Sequence, residues 1–161
     1  MFDANVGDGQ RYCESDSFAP GATPVIADLG DLKLGMTICY DLRFPHLYRQ
    51  LAHDGAHILA VPAAFTAVSG GAHWHVLLRA RAIETGCYVI APAQCGTHSD
   101  GRQTYGHAMI ISPWGEILAE AENGDGVITA TADVSKITYA RRAIPSLNSS
   151  TEFANTKLYR R

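Results

Sequence analysis

The sequence predicts an α/β fold in which helices cover a buried β-sheet. Short apolar segments at 57–61 and 87–93 have the continuous hydrophobic character of strands that are buried on both faces. Between them, segment 72–84 carries side chains at the i, i+3, i+4, i+7 spacing of one helix face: Trp74, Leu77, Leu78 and Arg81. This alternation of strand and helix is typical of a sheet with helices packed on it.

The remaining elements follow without repeats or linkers. The predicted strands are 24–29, 32–38, 57–61, 87–93, 107–112, 116–121 and 126–132. The predicted helices are 41–53, 72–84 and a short one that Asp133 caps and that ends at Arg142. Pro45 is tolerated only in the first turn of its helix. Loops are predicted at 62–71 and 94–105, and an extended tail from Pro145 onwards.

The composition restricts the class of protein. The chain has 161 residues, 47% of them hydrophobic, which suits one domain with a sizeable core. A net charge of −3 argues against nucleic acid or an anionic membrane as a partner. The amino-terminal residues are polar, and the longest nearly apolar run, 58–68, is too short to cross a bilayer. We therefore expect a cytoplasmic protein.

Cysteine and histidine are not spaced as metal ligands. The four cysteines contain no CxxC pair, which favours reduced thiols over disulfides or a zinc site. His73 and His75 are the closest histidines, and on a helix their i, i+2 spacing points the two rings apart. We therefore predict no metal site.

Cys39 lies in the segment KLGMTICYDLRFP, where a predicted strand ends and a helix begins. The first N–H groups of a helix are unpaired, and the positive end of its dipole favours a thiolate. The N–H of Tyr40 is a candidate donor to an oxyanion. A small core cysteine also fits this position, but it needs no charged neighbours, whereas Asp41 and Arg43 follow at once. The pattern therefore favours a nucleophilic thiol.

Four blocks follow one another along the chain: GMTICYDLRFP, GAHILAVPAAF, AHWHVLLRARAIETGCYVIAPAQCG and YGHAMIISPWGEILAEA. Together they resemble the nitrilase superfamily of carbon–nitrogen hydrolases, over about residues 3–145. Within that superfamily RARAIET, AQCG and YGH…PWG are most similar to the amidases that act on deaminated glutathione and similar ω-amides.

This resemblance implies a four-layer α-β-β-α sandwich and a Cys-Glu-Lys triad. A thiolate attacks the amide carbonyl, ammonia leaves, and water hydrolyses the thioester, so the partners are a small-molecule amide and water and no cofactor is needed. The resemblance also implies a homo-oligomer, commonly a dimer.

Residue by residue, the resemblance assigns the nucleophile to Cys39 and the oxyanion donor to the backbone N–H of Tyr40. Glu14 matches a second, supporting glutamate of the site. Three further residues are expected on the substrate side: Arg43, Ala64 and Phe65. Arg43 has an alternative role, since it may equally pair with Asp41.

The chain departs from the family pattern before Met1. The resemblance places the general-base glutamate and the lysine in sequence that precedes this residue, and Lys33 is no substitute because it lies on the strand that leads into Cys39. We therefore expect residues 1–145 to be the carboxy-terminal part of a hydrolase domain, with a sandwich incomplete at its amino-terminal side. Residues 146–161 are the predicted extended tail. The isolated chain is expected to be inactive.

Two other functions stay open from the residues alone. One is a non-catalytic remnant that folds only on a partner. The other is a Cys-His hydrolase of the glutamine-amidotransferase type, in which His107 is a conceivable base. Such enzymes have glycine two residues after the cysteine, whereas this chain has Asp41. On the second helix, the i, i+3 spacing of Arg81 and Glu84 predicts an ion pair.

Overall fold

The centre of the molecule is a six-stranded mixed sheet. The computed structural model describes residues 1–7, 11–122, 124–149 and 155. In chain order the strands of this sheet are β3 (Val25–Asp28), β4 (Lys33–Met36), β5 (Ile58–Ala60), β6 (Tyr88–Ala91), β9 (Met109–Ile111) and β10 (Ile117–Glu120). Their spatial order is β10-β9-β6-β5-β4-β3, with β4, β5 and β6 parallel and the other pairs antiparallel.

Two small hairpins lie outside this sheet. One joins β1 (Asp3–Asn5) to β2 (Arg11–Cys13), and the other joins β7 (Cys95–Thr97) to β8 (Gln103–Tyr105). The helices are α1 (Pro45–His53), α2 (Ala67–Thr85) and α3 (Val134–Ala143). Three short 3-10 turns complete the described elements: Glu14–Asp16, Cys39–Arg43 and Pro145–Asn148.

The main core lies between one face of the sheet and helices α1 and α2. Leu59, Val89 and Ile111 alternate onto this face, and all three are fully buried. Gly35 permits the close approach of α1, because a Cβ there would lie only 3.3 Å from Leu51 Cβ. The chain therefore forms a helical layer on a sheet, which confirms the predicted α/β class.

The opposite face of the sheet is only partly covered. Ile58 and Tyr88 pack there against Ile137 of α3. Further along the same face, Met36 is 51% and Ile90 is 37% exposed. This apolar strip is uncovered within the described chain.

Several predicted boundaries are wrong. The helix predicted at 41–53 is a 3-10 turn followed by α1, which begins at Pro45 because proline fits the first helical position. Helix α2 begins five residues earlier than predicted, since the Thr66 side chain caps it by accepting a hydrogen bond from Ser69 N. The predicted loop 94–105 contains the β7–β8 hairpin, and 126–132 is not a strand.

The carboxy-terminal elements agree in part. Asp133 caps α3 as predicted, with Oδ1 accepting from Ser135 N at 2.8 Å. The prediction of an extended tail is wrong at its start, because Leu147 is buried and its carbonyl accepts a 2.7 Å bond from Arg49 Nη2. The tail residues 150–154 and 156–161 lie outside the described part of the chain. In that described part, none of the helices combines the length and the apolar character needed to cross a membrane.

Candidate active site

Cys39 lies at a sharp turn beyond the end of β4. Its φ angle is 47°, in the left-handed region that residues with a Cβ rarely adopt. Its N–H donates to Pro62 O at 2.9 Å, which fixes the turn to the segment after β5. The Asp41 carboxylate accepts a 2.9 Å bond from Ile38 N and so closes the turn from the other side. The strained conformation is therefore held by several contacts, as is common at functional sites.

Arg81 anchors the same turn from α2. It is 5% exposed, and its Nε and Nη2 donate to Leu42 O at 3.0 and 2.7 Å. Its Nη1 also pairs with Glu84 at 2.8 Å, which confirms that predicted ion pair. The contact with Leu42 was not predicted, because a backbone carbonyl far away in sequence leaves no pattern in the chain. Arg81 positions the cysteine turn against α2 without itself reaching the thiol.

A cavity of about 1110 Å³ opens at this turn. Its walls come from the segments that follow three parallel strands: Cys39 and Tyr40 after β4, Pro62 to Ala64 after β5, and Pro92 to Gln94 after β6. Carboxyl ends of parallel strands meet at one edge of a sheet, which is a usual position for ligand sites. The structure thus brings Cys39, Tyr40 and Ala64 together as expected.

Glu14 enters this cavity from the amino-terminal hairpin. It begins the 3-10 turn after β2, and its Oε2 accepts a 2.7 Å bond from Phe2 N. Phe2 in turn packs on Tyr40, with ring centroids 5.6 Å apart. The hairpin is thereby held against the cysteine turn, and a carboxylate lies on the same cavity wall as Cys39.

The surroundings raise the pKa of the Cys39 thiol. Burial is the main cause, and the negative charges of Glu14 and Asp41 add to it. A hydrogen bond from the Ala64 backbone and the charge of Arg43 act in the opposite direction but do not compensate. The predicted thiolate bias from a helix dipole is therefore wrong for this chain. The reason is geometric, because Cys39 begins a five-residue 3-10 turn and α1 starts only at Pro45.

Arg43 and Phe65 lie behind the cavity wall. The Arg43 guanidinium is 5.2 Å from the centre of the Phe65 ring, and its Nη1 is 3.2 Å from His73 Nδ1. The alternative pairing of Arg43 with Asp41 is wrong: that carboxylate binds Ile38 N, and three residues per 3-10 turn place positions 41 and 43 on different sides. Phe65 is 7% exposed and packs on Trp74.

His107 belongs to a separate cluster. Its Nδ1 lies 2.7 Å from Glu120 Oε1, and the same oxygen is 2.9 Å from His75 Nε2. Its ring also stacks on Tyr105, with centroids 4.3 Å apart. These side chains come from three different elements, so spacing along the chain did not reveal the cluster. His107 is engaged here rather than with Cys39.

The described geometry is thus a strained cysteine at a sheet edge that opens into a cavity. The family model for carbon–nitrogen hydrolases matches residues 1–142. The chain belongs to the carbon–nitrogen hydrolase family.

Curated relatives within this family are amidases by name. The chain is 52% identical over 149 residues to a deaminated glutathione amidase of Synechocystis, covering 91% of this chain and 55% of that protein. It is 48% identical over 148 residues to the human deaminated glutathione amidase, covering 90% of this chain and 45% of that protein. The chain therefore spans about half the length of these carbon–nitrogen hydrolases.

Solved structures give the same fold. The C. elegans NitFhit protein matches with a TM-score of 0.82 and 40% identity, over 92% of this chain and 36% of that one. An amidase from Nesterenkonia matches with a TM-score of 0.69 and 28% identity, over 84% of this chain and 51% of that one. In that amidase, the acetamide moiety of fluoroacetamide is bound covalently to the active-site cysteine. The fold is that of the nitrilase type.

Proposed function

We propose that the protein hydrolyses the terminal amide of a small ω-amide acid and releases ammonia through a thioester on Cys39. One observation carries this proposal: Cys39 is held at φ 47° where the segments after three parallel strands meet around a cavity. A conformation that a residue with a Cβ adopts at a cost is maintained where it orients a reacting group. The covalent cysteine adduct of the Nesterenkonia amidase supports the same chemistry.

The reaction consists of two steps in which Cys39 is first acylated and then released. The sulfur attacks the amide carbonyl carbon, and the resulting oxyanion accepts backbone N–H bonds, for which we propose Tyr40 as a donor. The C–N bond then breaks, and ammonia leaves after the nitrogen takes up a proton. Water attacks the thioester carbonyl, which yields the carboxylic acid and restores the thiol. No electrons are gained or lost overall.

The raised pKa of Cys39 means that this chemistry needs further groups. At neutral pH the described surroundings favour the thiol over the reactive thiolate. Lys33 cannot reverse this, because it lies at the start of β4, six residues and roughly 20 Å of extended chain from Cys39. We propose that a general-base glutamate and a lysine outside residues 1–161 complete the triad, as the family resemblance implies. We likewise propose a homo-oligomer and a cytoplasmic location.

A substrate screen tests this function. The natural protein, including any sequence that adjoins residues 1–161, is assayed for ammonia release from ω-amide acids, N-carbamoyl acids and nitriles. We expect turnover of the ω-amides at a kcat/KM at least about tenfold above that of the other two classes. A preference for a nitrile or an N-carbamoyl acid would refute the substrate class, and absence of turnover in all three classes would refute the enzyme.

A further inference from the structure

A single arginine lies on the wall of the Cys39 cavity within the described chain. Arg102 lies in the turn between β7 and β8, and its side chain lines the cavity together with Cys39 and Gln94. Its Nε is buried and has no hydrogen-bond partner in the described structure. A buried charged donor without an acceptor is costly, so such a group in a cavity indicates that an acceptor arrives with a ligand.

The backbone around Arg102 is firmly held. Its N–H donates to Asp100 Oδ1 at 3.0 Å, and its carbonyl accepts from His98 N at 2.8 Å. The hairpin that carries it is attached to the segment after β5, because Tyr105 N donates to Phe65 O at 2.9 Å. Phe65 directly follows Ala64, whose backbone bonds the Cys39 sulfur. The arginine and the thiol are therefore positioned by one connected frame.

The charges on the cavity wall are separated. Glu14 and Asp41 both act on Cys39 with negative charge, whereas Arg102 supplies the cation on the wall. A negatively charged substrate group is repelled from the thiol and attracted to the arginine. An amide group, which is neutral, meets no such repulsion. A substrate with a carboxylate at one end and an amide at the other is therefore oriented with its amide towards Cys39.

We propose that Arg102 binds the free carboxylate of the substrate and thereby selects ω-amide acids over neutral amides. This inference rests on the proposed function and deepens it. The guanidinium fork matches a carboxylate in a bidentate pair, which supplies the acceptor that Nε lacks. It also moves the role considered for Arg43 to a residue that lies on the cavity wall.

A pair of matched substrates tests the subsite by kinetics. The natural protein and its Arg102→Gln variant are compared on a five-carbon dicarboxylic acid monoamide and on the methyl ester of the same compound. We expect Arg102→Gln to lower kcat/KM for the acid about 10²-fold while changing the ester less than about threefold. Arg102→Lys should recover part of the loss. The exposed Arg142→Gln in α3 is the matched charge control. An equal loss on both substrates, or no loss on either, would overturn the subsite.

A binding measurement decides the subsite even if neither compound is turned over. Glutarate should protect Cys39 of the unsubstituted protein against alkylation by acrylamide, and its half-protecting concentration should rise at least about tenfold in Arg102→Gln. Equal protection of the two proteins, or none, would refute the carboxylate site. Protection without ammonia release would instead refute only the proposed reaction. Thermal melts of both proteins check that the substitution leaves the fold intact.

Discussion

Two residues other than glycine have a positive φ angle in the described chain, Cys39 at 47° and His107 at 56°. Each follows a strand, and each has a glutamate nearby. The His107 side chain binds Glu120 and stacks on Tyr105, while its carbonyl accepts a 2.8 Å bond from Trp74 Nε1. Its strain is matched by contacts with its own chain.

The Cys39 turn differs because only its backbone is fully engaged. Its N–H binds Pro62 O, whereas the sulfur is on the wall of a cavity with a single backbone hydrogen bond from Ala64. Its neighbouring charges raise the pKa of the thiol and so oppose the reactive form. Strain with a satisfied side chain indicates a structural role, and strain with a side chain left for a ligand indicates a site. The predictions below test this distinction.

The largest expected effect is that of Cys39→Ser. We expect ammonia release to fall by at least about 10³-fold, because a hydroxyl is a far poorer nucleophile than a thiolate without its own base. The melting temperature should change by less than about 3 °C, since the two side chains are similar in size. Cys95→Ser, on the β7 strand, is the control and should retain activity. Retained activity in Cys39→Ser would place the nucleophile elsewhere.

A smaller effect is expected for Glu14→Gln. Turnover should fall about tenfold to a hundredfold, because a carboxylate on the site wall is lost. The negative charge of Glu14 raises the pKa of Cys39, so its removal should lower that pKa. The alkylation rate of Cys39, followed by mass mapping across pH, should therefore reach half its maximum at a lower pH in the variant. A shift to higher pH would contradict the charge arrangement described here.

The smallest effect is expected for Glu120→Gln, in the His107 cluster. Burial on its own raises the pKa of Glu120, but hydrogen bonds from His107 and His75 lower it overall. A carboxyl with a lowered folded-state pKa contributes stability that is present above its unfolded-state pKa and is lost as pH falls through the folded-state value. We expect Glu120→Gln to reduce the unfolding free energy at neutral pH by about 1 kcal/mol. Denaturant melts at neutral and acidic pH measure this.

Activity separates the two glutamates. Glu120→Gln should keep ammonia release within about twofold of the unsubstituted protein, since Glu120 is not on the cavity wall. A loss as large as that of Glu14→Gln would show that the two strained regions act together, and the distinction between them would fail.

The cysteine turn was predictable because its signal is local. Strand, thiol, Asp41 and Arg43 follow within a few residues, and the flanking apolar segments predict where the strand ends. The same local reasoning misassigned the electrostatics, because it assumed an α-helix where the structure has a 3-10 turn. A one-turn difference removes the dipole on which the predicted thiolate depended.

The residues that sequence analysis missed are those whose partners are distant along the chain. Arg81 binds a backbone carbonyl of the cysteine turn, and Arg102 reaches the cavity only because its hairpin is attached beside Ala64. The cluster of His75, His107 and Glu120 likewise combines three elements. In each case the chemistry depends on tertiary packing, so no periodicity or spacing in the chain indicates it.

The most direct test of the account is to locate the acyl group during turnover. The natural protein is mixed with an ω-amide acid, quenched in acid after a few milliseconds to seconds, digested, and mapped by mass spectrometry. The account predicts an acyl adduct on the peptide that contains Cys39, which hydroxylamine removes as it does any thioester. An acyl group on Cys13, Cys87 or Cys95, or full ammonia release with no acylated cysteine at any time, would contradict it.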